Sequence, residues 1–106
     1  MKRVAIESPF AGDQTRNALY LQWCIIDCLR RGESPYASHG FFTHVLDDDI
    51  QEHRQIGVQA GFEWARLAEI RAFYFDFGNP PGMQAGRCDA ALYGQKVEIR
   101  YLPPIM

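Results

Sequence analysis

The stretch Phe73-Tyr-Phe-Asp-Phe-Gly-Asn-Pro-Pro-Gly82-Met-Gln-Ala-Gly86 constrains the fold more than any other part of the chain. An aromatic, apolar run reaches a lone Asp76, breaks into a Gly/Asn/Pro loop and resumes as a helix at Gly82. That pattern is a buried strand delivering its carboxyl end to a loop and a helix N-terminus. Open α/β sheets hold ligands at such ends, where unpaired backbone N–H groups and the positive end of the helix dipole face a crevice.

The remaining segments repeat the theme. Residues 2–6 form a short strand that runs into the turn Glu7-Ser8-Pro9-Phe10. A helix follows, capped by Asp13 or Thr15, with Ala18, Leu21, Cys24 or Ile25, Cys28 and Leu29 at helical spacing and Gly32 as the glycine that ends it. Residues 35–39 are a second short strand. Residues 41–46 are either a short helix or an irregular packed segment. Asp47-Asp48-Asp49 is expected to cap a helix over residues 50–68, whose apolar line is Ile56, Ala60, Trp64 and Leu67, with Gly57 and Gly61 beside it for close approach. Residues 70–77 form the third strand, 82–93 a helix ended by Gly94, and 97–102 the last strand, stopped by Pro103-Pro104. The order β-α-β-α-β-α-β predicts an α/β three-layer sandwich of the Rossmann or flavodoxin kind, with a mostly parallel sheet of four to five strands.

Bulk properties narrow the class. With 106 residues, 47% of them hydrophobic and 23% charged, the chain is expected to be one globular domain over residues 1–106. A net charge of −2 offers no basic face for duplex nucleic acid. No apolar run approaches the roughly 20 residues that span a bilayer, and the first residues do not read as a signal peptide. Cys24, Cys28 and Cys88 suit a reducing cytoplasm as free thiols. Cys24 and Cys28, without a matching His/Cys cluster, make a poor zinc signal, so neither a metal nor a cofactor is expected.

Three strand ends carry the polar residues. At the first, Ser8 and Asn17 can donate hydrogen bonds beside Pro9, Arg16 can pair with an anion and Phe10 can stack on a base; the same residues also suit a plain turn with a solvated arginine. At the second, His39 or His44 can act as acid or base, or be satisfied by loop carbonyls. At the third, Asp76 can grip hydroxyls, Gly78 and Asn79 shape the loop, and Gly82, Met83 and Gln84 offer backbone N–H groups; the alternative is a helix-capping loop with an incidental aspartate.

The segments Glu7-Ser-Pro-Phe-Ala-Gly, Arg16-Asn17, Ala37-Ser-His39, Gly57…Gly61-Phe-Glu-Trp64 and Asp76-Phe-Gly-Asn-Pro-Pro-Gly-Met together resemble the nucleoside 2-deoxyribosyltransferase-like superfamily, in particular its short bacteriophage-type relatives. The resemblance spans nearly the whole chain and implies a parallel α/β sandwich that binds nucleosides or nucleotides at its strand ends. It also implies cleavage of an N-glycosidic bond by a carboxylate on the helix after the third strand, helped by an aspartate on the preceding helix. Those acids fall on Gly86 and Gly61. A glycosidic bond breaks through an oxocarbenium-like state that needs a carboxylate, so only Glu7, Glu63 and Asp76 are left as substitutes, Glu7 and Asp76 foremost.

The resemblance with its missing acids favours a binder of a nucleotide-like ligand over an enzyme, in a pocket that two glycines would widen. A phage protein of this kind could sequester a nucleotide immune signal in the host cytoplasm. The ligand residues expected are Ser8, Pro9, Phe10, Arg16, Asn17, His39, Asp76, Gly78, Asn79, Gly82, Met83 and Gln84. The alternatives are an N-glycosidase or deoxyribosyltransferase working through Glu7 or Asp76, and an assembly module with a vestigial pocket. Self-association is expected under all three, because Tyr20, Trp23, Phe41, Phe42, Phe62 and Trp64 exceed what a small core needs.

Overall fold

The computed structural model describes residues 1–104. Four parallel strands, β1 (Arg3–Glu7), β2 (Ser34–Tyr36), β3 (Ile70–Tyr74) and β4 (Lys96–Arg100), form one sheet in the order β2-β1-β3-β4. Helix α1 (Gln14–Arg30) links the first two strands, α2 (Gln51–Ala65) the next two, and α3 (Pro81–Leu92) the last two. Two single 3₁₀ turns, Ser38–Gly40 and Phe42–His44, follow β2. The expected α/β sandwich is borne out, with four strands.

The chain leaves β1 in one direction, to β2, and returns past it to β3. Right-handed crossovers then require α1 on one face of the sheet and α2 and α3 on the other. Side-chain alternation agrees. Val4, Ile6, Ile70, Ala72 and Tyr74 pack with Tyr20, Leu21, Cys24 and Cys28 of α1, while Arg71 meets Phe62 of α2 and Asp89 of α3. Cys24 and Cys28 are buried free thiols, as expected, whereas Cys88 is exposed.

Several local expectations hold. Asp13 caps α1 by accepting from the Arg16 N–H at 3.0 Å, and Gly32 takes the positive φ of 77° that ends the helix. Others need correction. The third strand stops at Tyr74 rather than at residue 77, because Phe75 to Gly78 close a turn in which the Gly78 N–H donates to the Phe75 carbonyl, with Gly78 at φ 88°.

The acidic trio does not cap α2. Ile50 is the capping residue and offers no side-chain bond. Asp47 accepts instead from the Asp49 N–H at 3.0 Å, one turn too early to reach the helix. The line Ile56, Trp64 and Leu67 points away from the core, at 57%, 61% and 63% exposure. It is the glycine side of α2 that packs inward, against the 3₁₀ turns.

Candidate functional site

The reversal of direction between β1 and β3 creates a switch point, the place where open α/β sheets leave a crevice beyond the strand ends. Glu7, the last residue of β1, lies there beside Phe73 of β3. Its carboxylate accepts from Arg71 Nη2 at 3.2 Å, and its side chain keeps 17% exposure. Burial raises the Glu7 pKa, and the Arg71 guanidinium only partly offsets that rise.

The space beside Gly86 and Gly61 is already occupied. A Cβ at Gly86 would stand 2.6 Å from Glu7 Oε1, and one at Gly61 would stand 2.5 Å from Ser38 Oγ. Both are closer than real Cβ contacts allow. The two glycines therefore do not widen a pocket: the Glu7 carboxylate fills the space beside one, and the Ser38 hydroxyl fills the space beside the other.

Ser8 and His39 meet at the ends of β1 and β2. Ser8 is 7% exposed, and its hydroxyl lies 2.7 Å from His39 Nε2. Burial lowers the His39 pKa to about 4, so the imidazole is neutral near pH 7. His44 does not join this pair; it is exposed and borders a different cleft.

The other expected residues divide among separate places. Phe10 and Gln14 edge a cleft of about 460 Å³ that Thr43 to Asp49 complete. Arg16 lies over the Phe77 ring at 4.1 Å and borders a smaller cleft, on the α1 side, with Tyr20, Trp23 and Asp76. Asp76 accepts from the Tyr20 hydroxyl at 2.5 Å and from the Leu102 N–H at 3.1 Å. Burial, and then that bond to Asp76, push the Tyr20 phenol well above its usual range. Asp76 thus works on the face opposite Arg71 and Glu7.

Asn17 is buried and fully engaged, donating to the Phe10 and Ala11 carbonyls while accepting from Arg16. It fastens the loop after β1. At the start of α3, Pro80 and Pro81 supply no N–H, and the Met83 and Gln84 N–H groups donate to the Pro80 carbonyl. The Gln84 side chain donates to the Asn79 carbonyl at 2.8 Å. Asn79 Oδ1 is buried without a partner among the described residues.

Sequence reasoning missed Arg71 and Asp89. Arg71 has no exposure and Asp89 only 8%. The available signal was a charge inside the apolar run Ile70-Arg-Ala-Phe-Tyr74, where a parallel strand ordinarily carries aliphatic side chains.

Residues 2–100 match the family model described as Domain of unknown function (DUF7768). No curated protein matches the chain. Among solved structures the chain is similar to the 2-deoxyribosyltransferase of the psychrotolerant bacterium Bacillus psychrosaccharolyticus. The likeness has 12% identity and a TM-score of 0.64, and covers 98% of this chain and 75% of that one. The fold is that of a nucleoside deoxyribosyltransferase.

Proposed function

We propose, for a chain that belongs to the DUF7768 family and has this fold, that it binds a nucleoside- or nucleotide-like ligand beyond the ends of β1 and β3, against Glu7. One observation carries the reading. The Glu7 carboxylate comes within contact distance of the point where a side chain of residue 86 would begin, and residue 86 is where the resemblance locates the catalytic acid. A carboxylate is thus supplied from β1 where the superfamily resemblance implies one from the helix after β3.

That coincidence favours a second, chemical reading of the same site. The unbonded Glu7 oxygen attacks the anomeric carbon while the glycosidic electron pair leaves on the base nitrogen, which takes a proton from water. A second water then hydrolyses the glycosyl ester and restores the carboxylate. If the ligand instead remains intact, the protein acts as a binder, and sequestration of a nucleotide signal, as in a phage countering host defence, is the use that suits it.

A melting screen against nucleosides, mononucleotides, NAD, ADP-ribose and cyclic nucleotides tests this, with every mixture then analysed by chromatography for free base. At least one ligand is expected to raise Tm. If base is released, Glu7→Gln abolishes release while leaving the thermal shift in place. No shift at millimolar concentration together with no released base would sink both readings.

A further inference from the structure

Arg71, the one cation paired with Glu7 among the described residues, is shared with a second carboxylate. The Arg71 guanidinium sits inside the sheet face between β1 and α3, with no exposure. Its Nη2 donates to Glu7 Oε1 at 3.2 Å, and its Nη1 donates to Asp89 Oδ2 at 2.8 Å and to Gln95 Oε1 at 3.0 Å. Its Nε has no partner among the described residues. Asp89 is gripped from the far side by Arg66 Nη2 at 2.6 Å, and Arg66 also pairs with the exposed Glu63. The result is a row of alternating charges, Glu7, Arg71, Asp89, Arg66, leading from the switch point to the outer surface of α2.

We propose that Arg71 is a positioning residue for the Glu7 carboxylate, and that Asp89 governs how firmly Glu7 holds its proton by competing for the same guanidinium. The value of this arrangement to the ligand rests on the reading above; the arrangement itself does not. Asp89 and Gln95 alone would engage Arg71 Nη1, so the bond to Glu7 is additional to what anchors the arginine. It fixes one carboxylate oxygen and leaves the other without a partner among the described residues.

The competition has a definite direction. Viewed from Glu7, burial raises the carboxyl most, the charge and hydrogen bond of Arg71 oppose that rise, and the Asp89 anion adds a smaller push upward. The Glu7 carboxyl is raised, whereas Asp89 is lowered, because burial is outweighed there by the hydrogen bonds and charges of Arg66 and Arg71 together. The charged or titratable groups facing Glu7 are Arg71 from β3 and Asp89 from α3. Gly86, its nearest contact on α3, brings no charge, and His39 beyond β2 is neutral near pH 7.

Carboxyl-carbon NMR of the protein labelled at glutamate, followed across roughly pH 3 to 9, tests the proposal. Asp89→Asn is expected to lower the Glu7 midpoint by about one pH unit, because Arg71 then serves Glu7 alone. Arg71→Met is expected to raise it. An unchanged or raised Glu7 midpoint in folded Asp89→Asn overturns the proposal.

The unaltered protein gives a check that needs no variant. The Arg71 Nη resonances should titrate with the Glu7 midpoint, and their failure to do so also overturns the proposal. No ligand enters these measurements. Expected midpoints with a negative melting and base-release screen would therefore discard the function and keep the relay, while the opposite pattern would discard the relay alone. Should base be released, the acidic limb of kcat/KM follows the Glu7 midpoint downward in Asp89→Asn.

Discussion

Burial next to the Ser8 hydroxyl keeps the His39 imidazole neutral down to about pH 4, against an ordinary value of 6.5. Between those two values the unfolded chain binds a proton that the folded chain refuses. His39 therefore favours the folded state fully above pH 6.5, and that contribution is lost as pH falls toward 4. Tm measured across this window should fall less steeply for His39→Gln than for the unaltered protein; identical slopes would mean that His39 protonates freely in the fold. Glu7, Ser8 and His39 were legible in the sequence because the residue after a strand can be read from the apolar run before it. Arg71 was legible only as a charge inside an apolar strand, and Asp89 was not legible at all. Which side of α3 turns inward depends on helix rotation, and the Gly- and Ala-rich segment Pro81–Leu92 has too weak an apolar stripe to specify it.

Helix α2 was legible as a helix, and its orientation in part. Apolar spacing located the line of Ile56, Trp64 and Leu67, and the i, i+4 glycines beside it marked a place of close approach. Packing uses the absence of side chains, with Gly57 against Leu46 and Gly61 against Ser38. The glycine spacing thus revealed the packed side, whereas the apolar line alone did not show that it lies on the outer side. Gly61→Ala should then destabilise the protein by about 1–3 kcal/mol, since the added methyl overlaps Ser38, even though alanine is the better helix former. Ser38→Gly removes both atoms that the methyl would meet, so the double variant should recover most of the loss. Denaturant titration of the two single variants and the double variant provides the comparison. A simply additive double variant would show that the glycine serves some other purpose.

At the scale of the molecule, the layered architecture and the parallel sheet followed from the order of segments, whereas the partition of polar residues between the two faces did not. Each face holds its own buried ionic cluster. Under α1, Arg100 binds Glu33 at 2.7 and 2.8 Å, and the Tyr74 hydroxyl donates to Asp27 at 2.6 Å; under α3 lies the Arg71 cluster. The outer side of α2 exposes Ile56 and Trp64, which self-association is expected to cover. Sedimentation equilibrium is expected to show association above the 12.2 kDa of one chain, abolished by Ile56→Glu with Trp64→Glu. A single-chain mass at every concentration would remove the assembly reading.

The strand order also sets a schedule. The central strand β1 finds its neighbours at Ser34 and, across the switch point, at Ile70. During synthesis it must wait until most of the chain has left the ribosome before the sheet can close on both sides. Such distant pairings make for slow folding. The ion pair between Glu7 and Arg71 joins the same two strands, so the candidate site comes into being in the step that completes the centre of the sheet, and no earlier fragment of the chain carries it.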